Sequence, residues 1–250
     1  MERKELIEKI TTKKEFSKLP KKDVEIAFSQ FDKDQYVDEE KIKLTRNLLR
    51  KIYASFSSIK LLNLKDKNVG WVLKKHKSTK ERFECYEEVY NKILSNEKVV
   101  IDLGAGVNGF SYNYFGKKIK YIATEAVGQL VDLMNSYFKK NKINGVANHI
   151  SLFELEKTKK LILKEKQSKV IFLFKVIDSL EMLERNYSKK LLLELAPLVN
   201  KVVVSFATKS IGKRQRFAAK RTWLISFIKE NFNVLDDFEL SGERYIIFSK

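Results

Sequence analysis

The chain has 250 residues, of which 44% are apolar, so it can bury a globular core and is not a disordered polypeptide. Its 50 Lys and Arg residues outnumber 32 Asp and Glu residues, and the formal charge of +18 favours a polyanionic partner, nucleic acid first. A single cysteine, Cys85, excludes an internal disulfide, and no set of Cys and His residues has metal-ligand spacing. Without a membrane-length apolar run or a secretory core at the N-terminus, we expect a metal-free, cytoplasmic monomer.

Residues 1–75 are predicted to form a small helical domain with a basic exterior. Apolar residues recur there at helical spacing, and the opposite faces carry many lysines. The apolar faces consist of Leu6, Ile7 and Ile10; of Val24, Ala27, Phe28 and Phe31; and of Leu48, Leu49, Ile52, Tyr53 and Phe56. The segment DKDQYVDEEKIK begins like a calcium loop, but Val37 stands where the turn requires Gly and Lys43 where a bidentate Glu is required. We therefore expect no calcium site there.

Residues 76–250 change to alternating strands and helices, which predicts an α/β domain. The predicted strands cover 98–103, 119–124, 147–152, 169–174, 200–206, 232–238 and 244–249. Continuous apolar runs in the middle strands are typical of a parallel sheet with helices on both faces. The segment Leu240–Glu243 between the last two strands is too short for a crossover helix, so these strands must form an antiparallel hairpin. A mostly parallel seven-stranded sheet with such a hairpin favours a Rossmann-like methyltransferase over a dehydrogenase.

The first of these strands runs into a glycine turn, VVIDLGAGVNG. Gly104, Gly106 and Gly109 have G-x-G-x-x-G spacing, which lets the backbone approach a nucleotide-like ligand closely. The motif alone fits either a nicotinamide dinucleotide or S-adenosylmethionine. Asp102 favours S-adenosylmethionine, because an acidic residue at that position orders the loop around the amino-acid end of the cofactor. Glu125, at the end of the second strand, can accept hydrogen bonds from ribose hydroxyls in either cofactor.

Several segments of this part of the chain together form a family pattern. They are HKSTKER from His76, DLGAGVN with the following YIATE, FKVIDSLE from Phe174 and VVSFATKSIG from Val203, with a weaker match in SGERYIIF. In order and spacing they resemble the 16S ribosomal RNA guanine-N7 methyltransferases, a family that includes aminoglycoside-resistance enzymes. The resemblance covers roughly residues 70–250. It implies a helical domain that docks on the small ribosomal subunit and a Rossmann-like domain that uses S-adenosylmethionine to methylate a guanine N7 of 16S ribosomal RNA.

The resemblance also implies roles for individual residues. The cofactor would be bound by His76, Ser78, Thr79, Lys80, Arg82, Asp102, Gly104, Ala105, Gly106, Glu125, Ala126 and, near the adenine, Glu154. Lys175 and Glu181 would lie at the target base, because a lysine can bond guanine O6 and a carboxylate can accept from N1 and N2. A plain surface ion pair is the alternative for these two residues. Since the cofactor loops follow residue 70, we expect removal of residues 1–70 to leave cofactor binding nearly intact.

RNA contacts are expected in the basic segment that follows the fifth strand, and a solvated loop is the alternative. The segment combines phosphate-binding charges with an aromatic ring that can stack on an extruded base. The residues concerned are Lys209, Lys213, Arg214, Arg216, Phe217, Lys220 and Arg221. This segment departs from the family pattern, and Gly109, Asp178 and Ala207 stand where the family has prolines.

Two functions of other classes also fit the sequence. A nicotinamide-dependent reductase could use the literal G-x-G-x-x-G turn. A non-catalytic RNA-binding or ribosome assembly factor could retain the methyltransferase fold. The family resemblance implies a methyl transfer in which guanine N7 attacks the methyl group through a lone pair and loses no proton. Neither alternative function involves this reaction.

Overall fold

The part of the chain that the structure describes, residues 2–54, 68–208 and 221–250 of a computed structural model, contains one seven-stranded sheet. Its strands are β1 (Val99–Leu103), β2 (Lys120–Glu125), β3 (Gly145–His149), β4 (Lys169–Phe174), β5 (Lys201–Ala207), β6 (Asn233–Leu240) and β7 (Glu243–Ser249). Their order is β3-β2-β1-β4-β5-β7-β6. The first five strands are parallel, and β7 is antiparallel to both β5 and β6. The predicted Rossmann-like sheet with a closing hairpin is thereby confirmed.

Burial explains which strands the sequence predicted well. All of β1 and nearly all of β4 and β5 are buried, as their continuous apolar runs indicated. The prediction for β3 was wrong, since this strand ends at His149 and not at residue 152. It is an edge strand that pairs with β2 alone, up to the Glu125–His149 pair. Beyond that pair the chain turns, and the Glu154 N–H donates to the Ser151 carbonyl oxygen at 3.0 Å.

Helices cover the sheet and precede it. They are α1 (Arg3–Thr11), α2 (Lys21–Ser29), α3 (Asp38–Leu49), α4 (Val69–Lys75), α5 (Lys77–Arg82), α6 (Tyr86–Ile93), α7 (Gly128–Lys140), α8 (Leu155–Lys164), α9 (Ile177–Leu183), α10 (Tyr187–Leu195) and α11 (Thr222–Asn231). A π-helical turn, Arg50–Ala54, continues α3, and 3₁₀ turns cover Asn108–Phe115 and Ala196–Leu198. Within the described ranges, no helix has the length and apolarity that a membrane crossing requires.

The first three helices pack through the apolar faces that their spacing predicted. Their buried residues include Leu6, Ile7, Ile10, Val24, Ala27, Phe28 and Leu49, whereas Phe56 lies outside the described residues. They also contact the sheet domain, because the Gln30 side-chain amide donates to the carbonyl oxygens of Met182 and Leu183 at 3.0 and 2.8 Å. The buried apolar residues of both regions form one continuous cluster. The domain boundary at residue 75 stays a prediction.

The C-terminal hairpin places Glu243 beside the last residue of β5. It turns at Ser241 and Gly242, which have φ values of 52° and 79°, as a tight hairpin turn requires. Strand β7 is thereby inserted between β5 and β6. Its first residue, Glu243, is 1% exposed and accepts a hydrogen bond from the Ser205 hydroxyl of β5.

Gly109, the third glycine of the motif, is required for packing. A Cβ atom there would lie 2.6 Å from Phe138 Cζ and 3.1 Å from Met134 Sδ, both buried on α7. We expect Gly109→Ala to lower the free energy of unfolding by about 1 to 3 kcal/mol, the usual cost of overpacking. Urea denaturation measures the loss. Phe138→Leu in the same chain should restore part of it, and an unchanged stability of Gly109→Ala would contradict this account.

Candidate functional site

An open cleft lies at the carboxyl ends of β1, β2 and β4. This is the edge at which open α/β sheets bind their ligands. The cleft wall includes the following residues predicted from the sequence to bind a cofactor or the target base: His76, Ser78, Gly104, Gly106, Glu125, Ala126 and Lys175. Segments that are far apart in sequence therefore meet at one place.

The glycine turn after β1 is bound to the end of β2 through its backbone. Gly104 and Gly106 have φ values of 70° and 58°, which glycine adopts without steric cost. The N–H groups of Gly104 and the next residue both donate to the Thr124 carbonyl oxygen at 3.0 Å. A Cβ atom on Gly104 would lie 2.6 Å from Val176 Cγ2, and one on Gly106 would lie 2.7 Å from the His76 ring. The turn therefore presents bare backbone to the cleft.

Glu125 joins this turn to the second strand. Its carboxylate accepts hydrogen bonds from the Gly106 N–H at 2.8 Å and from the Val127 N–H at 2.9 Å. Burial raises the pKa of Glu125, and the backbone donors oppose the rise. Each carboxylate oxygen has a further lone pair, so Glu125 can still accept from two hydroxyl groups of a ligand.

Asp102 supports the turn from behind and is not part of the cleft wall. Its Oδ2 atom accepts from the Tyr121 hydroxyl at 2.5 Å and from the Asn108 side-chain amide at 2.7 Å. The Asn108 Oδ1 atom in turn accepts from Arg82 Nη1 at 3.0 Å and from the Tyr86 hydroxyl at 2.9 Å. The structure thus places Asp102 in a buried network that orders the loop behind the cleft wall.

His76 and Ser78 form part of the cleft wall. Ser78 Oγ and His76 Nδ1 are 2.9 Å apart. Burial lowers the pKa of His76 to about 3, and the positive charges of Arg82 and Lys175 act in the same direction. The imidazole is therefore neutral at physiological pH. Its ring packs against Gly106 and shapes the cleft beside the glycine turn.

Lys175 is the one cation among the described residues of the cleft wall. Its φ value of 57° is uncommon for a residue with a side chain, and such backbone strain concentrates at functional sites. Its N–H donates to the Ser205 carbonyl oxygen at 3.0 Å. The ammonium forms ion pairs with Glu81 and with Glu243 Oε2, the latter at 3.0 Å. The sequence had singled out neither carboxylate as a partner of this lysine.

The predicted pair of Lys175 with Glu181 is not formed. Glu181 accepts hydrogen bonds from the Asn186 N–H at 2.6 Å, from the Ser188 N–H at 3.0 Å and from the Ser188 hydroxyl. These donors lie at the N-terminus of α10, where unpaired N–H groups and the helix dipole favour a carboxylate. Glu181 caps that helix, so the base-reading role predicted for it has no geometric support.

The other predicted cofactor residues lie outside the cleft wall: Thr79, Lys80, Arg82, Ala105 and Glu154. Thr79 is fully buried, and its hydroxyl donates to the Leu73 carbonyl oxygen at 2.6 Å. The buried guanidinium of Arg82 lies 3.3 Å from Glu243 Oε2. Thr79 and Arg82 therefore hold the HKSTKER segment in place behind the cleft. The family motif thus contains both supporting residues and residues of the cleft wall.

Arg221 is the one predicted RNA contact that falls within the described residues. The others, Lys209, Lys213, Arg214, Arg216, Phe217 and Lys220, lie outside them. The Arg221 guanidinium is buried, with Nε donating to Asp178 at 2.9 Å and Nη1 donating to the Ala207 carbonyl oxygen at 2.9 Å. It also lies 5.1 Å from the centre of the Phe206 ring. Arg221 is held within the protein, so the RNA contact predicted for it has no geometric support.

The N-terminal helices contribute to the cleft, which the sequence did not predict. Asp23 of α2 lines the wall together with Ile52 and Tyr53 of the π-helical turn. The expectation that residues 1–70 are dispensable for ligand binding therefore has no geometric support. Ile52 and Tyr53 recur at the same helical spacing as core residues, so the apolar periodicity could not distinguish wall residues from core residues.

The rest of the cleft wall includes residues that follow strand ends, which are Val127, Ile150, Leu152, Phe153 and Val176. Their positions agree with the rule that open α/β sheets bind ligands at the carboxyl ends of their strands.

Residues 36–246, most of the chain, match the family model of the FmrO ribosomal RNA methyltransferases. The chain belongs to this family. A 16S rRNA (guanine(1405)-N(7))-methyltransferase of Proteus mirabilis is 25% identical over 194 residues, which cover 72% of this chain. The matched region spans 64% of the length of that relative. Family membership confirms the resemblance that the motifs indicated.

Solved structures of ribosomal RNA methyltransferases have the same fold. The 16S rRNA methyltransferase RmtF, in complex with S-adenosyl-L-homocysteine, is 18% identical with a TM-score of 0.81, and the match covers 100% of both chains. An rRNA methylase from Escherichia coli is also 18% identical, with a TM-score of 0.81 over 99% of both chains. Because the matches extend over the whole chain, the shared fold includes the N-terminal helices.

Replacement of Glu181 should affect stability first. Glu181→Ala leaves several donors at the start of α10 without an acceptor, and we expect the free energy of unfolding to fall by about 1 to 3 kcal/mol. Glu181→Gln keeps one acceptor and should lose less. Chemical denaturation measures both variants, with the exposed neighbour Glu184→Ala as control, expected within about 0.5 kcal/mol of the parent protein. A stable Glu181→Ala variant would refute the capping role.

Asp23 should make stability depend on pH. Burial raises its pKa from 3.8 to about 6, against the hydrogen bonds from Ser151 and Tyr53. The folded protein then holds this proton more tightly than the unfolded chain. The contribution of Asp23 to the free energy of unfolding is therefore complete below pH 4 and is lost as pH rises through about 6. The stability of Asp23→Asn relative to the parent protein should therefore increase by about 2 to 3 kcal/mol from pH 4 to pH 7. Urea denaturation across this range tests it, with the exposed Asp132→Asn as a control that should show no such trend.

Proposed function

We propose that this protein is an S-adenosylmethionine-dependent methyltransferase that modifies N7 of a guanine in 16S ribosomal RNA. Its family consists of ribosomal RNA methyltransferases, and the Proteus mirabilis relative is a 16S rRNA (guanine(1405)-N(7))-methyltransferase. The observation that carries the proposal is the Glu125 carboxylate, held by two backbone N–H groups beside the glycine turn. The proposed partner is the small ribosomal subunit, in the cytoplasm.

The cleft fits the cofactor at both polar ends of that molecule. Glu125 keeps lone pairs for the vicinal hydroxyls of a ribose. Only glycine fits at positions 104 and 106, because a Cβ atom would collide with Val176 or with the His76 ring, and His76 and Ser78 line the cleft beside the turn. The bound cofactor supplies an electrophilic methyl group on a sulfonium. These residues are the ones that would hold its ribose and its amino-acid end.

The task of the protein is positioning. The guanine N7 atom attacks through its lone pair and carries no proton at neutral pH, so the methyl transfer requires no general base. Alignment of reacting atoms at near-attack distance can lower a barrier by up to roughly 7 to 11 kcal/mol. Lys175, fixed between Glu81 and Glu243 on the cleft wall, is suited to orient the base by donating to guanine O6.

The charge of the chain supports an RNA substrate. A formal charge of +18 attracts a phosphate backbone and would steer encounters with the ribosomal subunit. The N-terminal helices are proposed to dock on that subunit. If the modified guanine lies at the decoding site, expression of the protein should confer aminoglycoside resistance.

Methyl transfer to purified small subunits tests the proposal. With radiolabelled S-adenosylmethionine we expect incorporation into 16S RNA, and borohydride and aniline cleavage should locate 7-methylguanine at one position. Glu125→Ala should lower kcat/KM at least about tenfold, since hydrogen bonds to a charged group contribute about 1.5 to 3 kcal/mol. Glu165→Ala is the matched control, because this carboxylate pairs with Lys120 at the opposite end of the same strand.

Other outcomes would identify the other classes of function. Binding to subunits without methyl incorporation would indicate an RNA-binding or assembly factor. Tight binding of a nicotinamide dinucleotide, with no binding of S-adenosylmethionine, would indicate a reductase. Isothermal titration with each cofactor separates these two outcomes.

A further inference from the structure

The cleft contains a buried carboxylate that the proposed reaction does not use. Asp23 is 1% exposed and lies in the first turn of α2. The Tyr53 hydroxyl donates to its Oδ2 atom at 2.6 Å, and the Ser151 hydroxyl donates to its Oδ1 atom. Both hydroxyls are neutral donors, and each carboxylate oxygen keeps a further lone pair. Asp23 therefore has acceptor capacity left in a place that water enters poorly.

Asp23 lies on the β3 side of the cleft, because it bonds to Ser151, two residues after the end of that edge strand. His76 packs against the glycine turn after β1, and Lys175 follows β4, which pairs with the other side of β1. Glu125 lies between these two sides, at the end of β2, the strand that pairs with both β3 and β1. Burial raises the pKa of Glu125, and the charge of Asp23 adds to that rise. A nucleoside with its ribose on Glu125 and its other substituent at His76 would direct its base towards Asp23.

The surroundings of Asp23 suit a planar aromatic base. Apolar wall residues adjoin the two residues that bond to Asp23: Ile52 precedes Tyr53, and Ile150, Leu152 and Phe153 lie beside Ser151 along the chain. Apolar walls with one or two placed polar groups are typical of sites that bind a planar ligand in a fixed orientation. Asp23 and Glu125 are the acidic side chains among the described wall residues.

Glu154, the acidic residue that the sequence indicated for this role, is engaged elsewhere. Its carboxylate pairs with Lys157 and accepts from the Ser151 N–H at 3.3 Å, and it is not part of the cleft wall. Ser151 thus contacts two carboxylates, one through its backbone and one through its hydroxyl. The hydroxyl contact reaches Asp23, which faces the cleft.

We infer that Asp23 recognises the adenine of the cofactor, accepting a hydrogen bond from its exocyclic amine, so that the N-terminal helices supply the base-specificity group of the site. This inference rests on the proposed function, because it assumes an adenosyl ligand. An exocyclic amine is a hydrogen-bond donor, which a carboxylate with free lone pairs complements. Tyr53 and Ser151 act as positioning residues that hold the carboxylate.

Isothermal titration of the full chain tests the inference with two ligands. They are S-adenosylhomocysteine and its purine analogue, in which hydrogen replaces the 6-amino group. We expect the parent protein to bind the adenosyl ligand about 10-fold to 100-fold more tightly, the range for one hydrogen bond to a charged acceptor. Asp23→Asn should reduce this preference to within about threefold, mainly through weaker binding of the adenosyl ligand. The matched control Glu154→Gln should retain the full preference.

Each other result has a definite meaning. Failure of the parent protein to bind S-adenosylhomocysteine would refute the proposed function itself. Equal affinity of the parent protein for the two ligands would overturn the inference without any variant. Equal weakening of both ligands by Asp23→Asn, with the preference intact, would show a structural role and also overturn it. Loss of the preference in Glu154→Gln would assign the amine to that residue instead.

Discussion

The functional edge of this protein depends on the two hydrogen bonds that Glu125 accepts. They connect the end of β2 to the Gly106 N–H of the turn and to the Val127 N–H just before α7. Since β1 and β2 are parallel and paired up to Leu103 and Thr124, the turn folds directly over the end of its neighbour. Backbone hydrogen bonds thereby hold Gly104 and Gly106 beside the buried Glu125 carboxylate, at the wall of the open cleft.

A second set of residues supports that edge without reaching the cleft. Asn108 accepts from Arg82 and Tyr86 and donates to Asp102, so a single amide joins α5, α6 and β1. The buried charge of Arg82 requires an acidic partner, and Glu243 of the C-terminal hairpin provides it at 3.3 Å. This explains why the HKSTKER and SGERYIIF segments, at opposite ends of the domain, both belong to the family pattern.

Three of the departures from the family pattern lie together in space. Asp178 and Ala207 stand where the family has prolines, and Arg221 ends the segment that differs most. In the structure Arg221 bonds to Asp178 and to the Ala207 carbonyl oxygen. One ion pair with a backbone contact thus joins the segment after β4 to the segment after β5. Changes that look independent in sequence form one local arrangement.

The sequence by itself determined the sheet, the hairpin, the glycine turn and the residues at strand ends, because these depend on local periodicity and on short connections. Apolar runs predicted β1, β4 and β5, and the short Leu240–Glu243 link required the antiparallel hairpin. Only tertiary structure decided which carboxylates meet Lys175 and that Asp23 reaches the cleft. Glu181 is close to Lys175 along the chain, yet the N-terminus of α10 offers it closer donors. Long-range contacts of this kind depend on how helices dock, which no local pattern records.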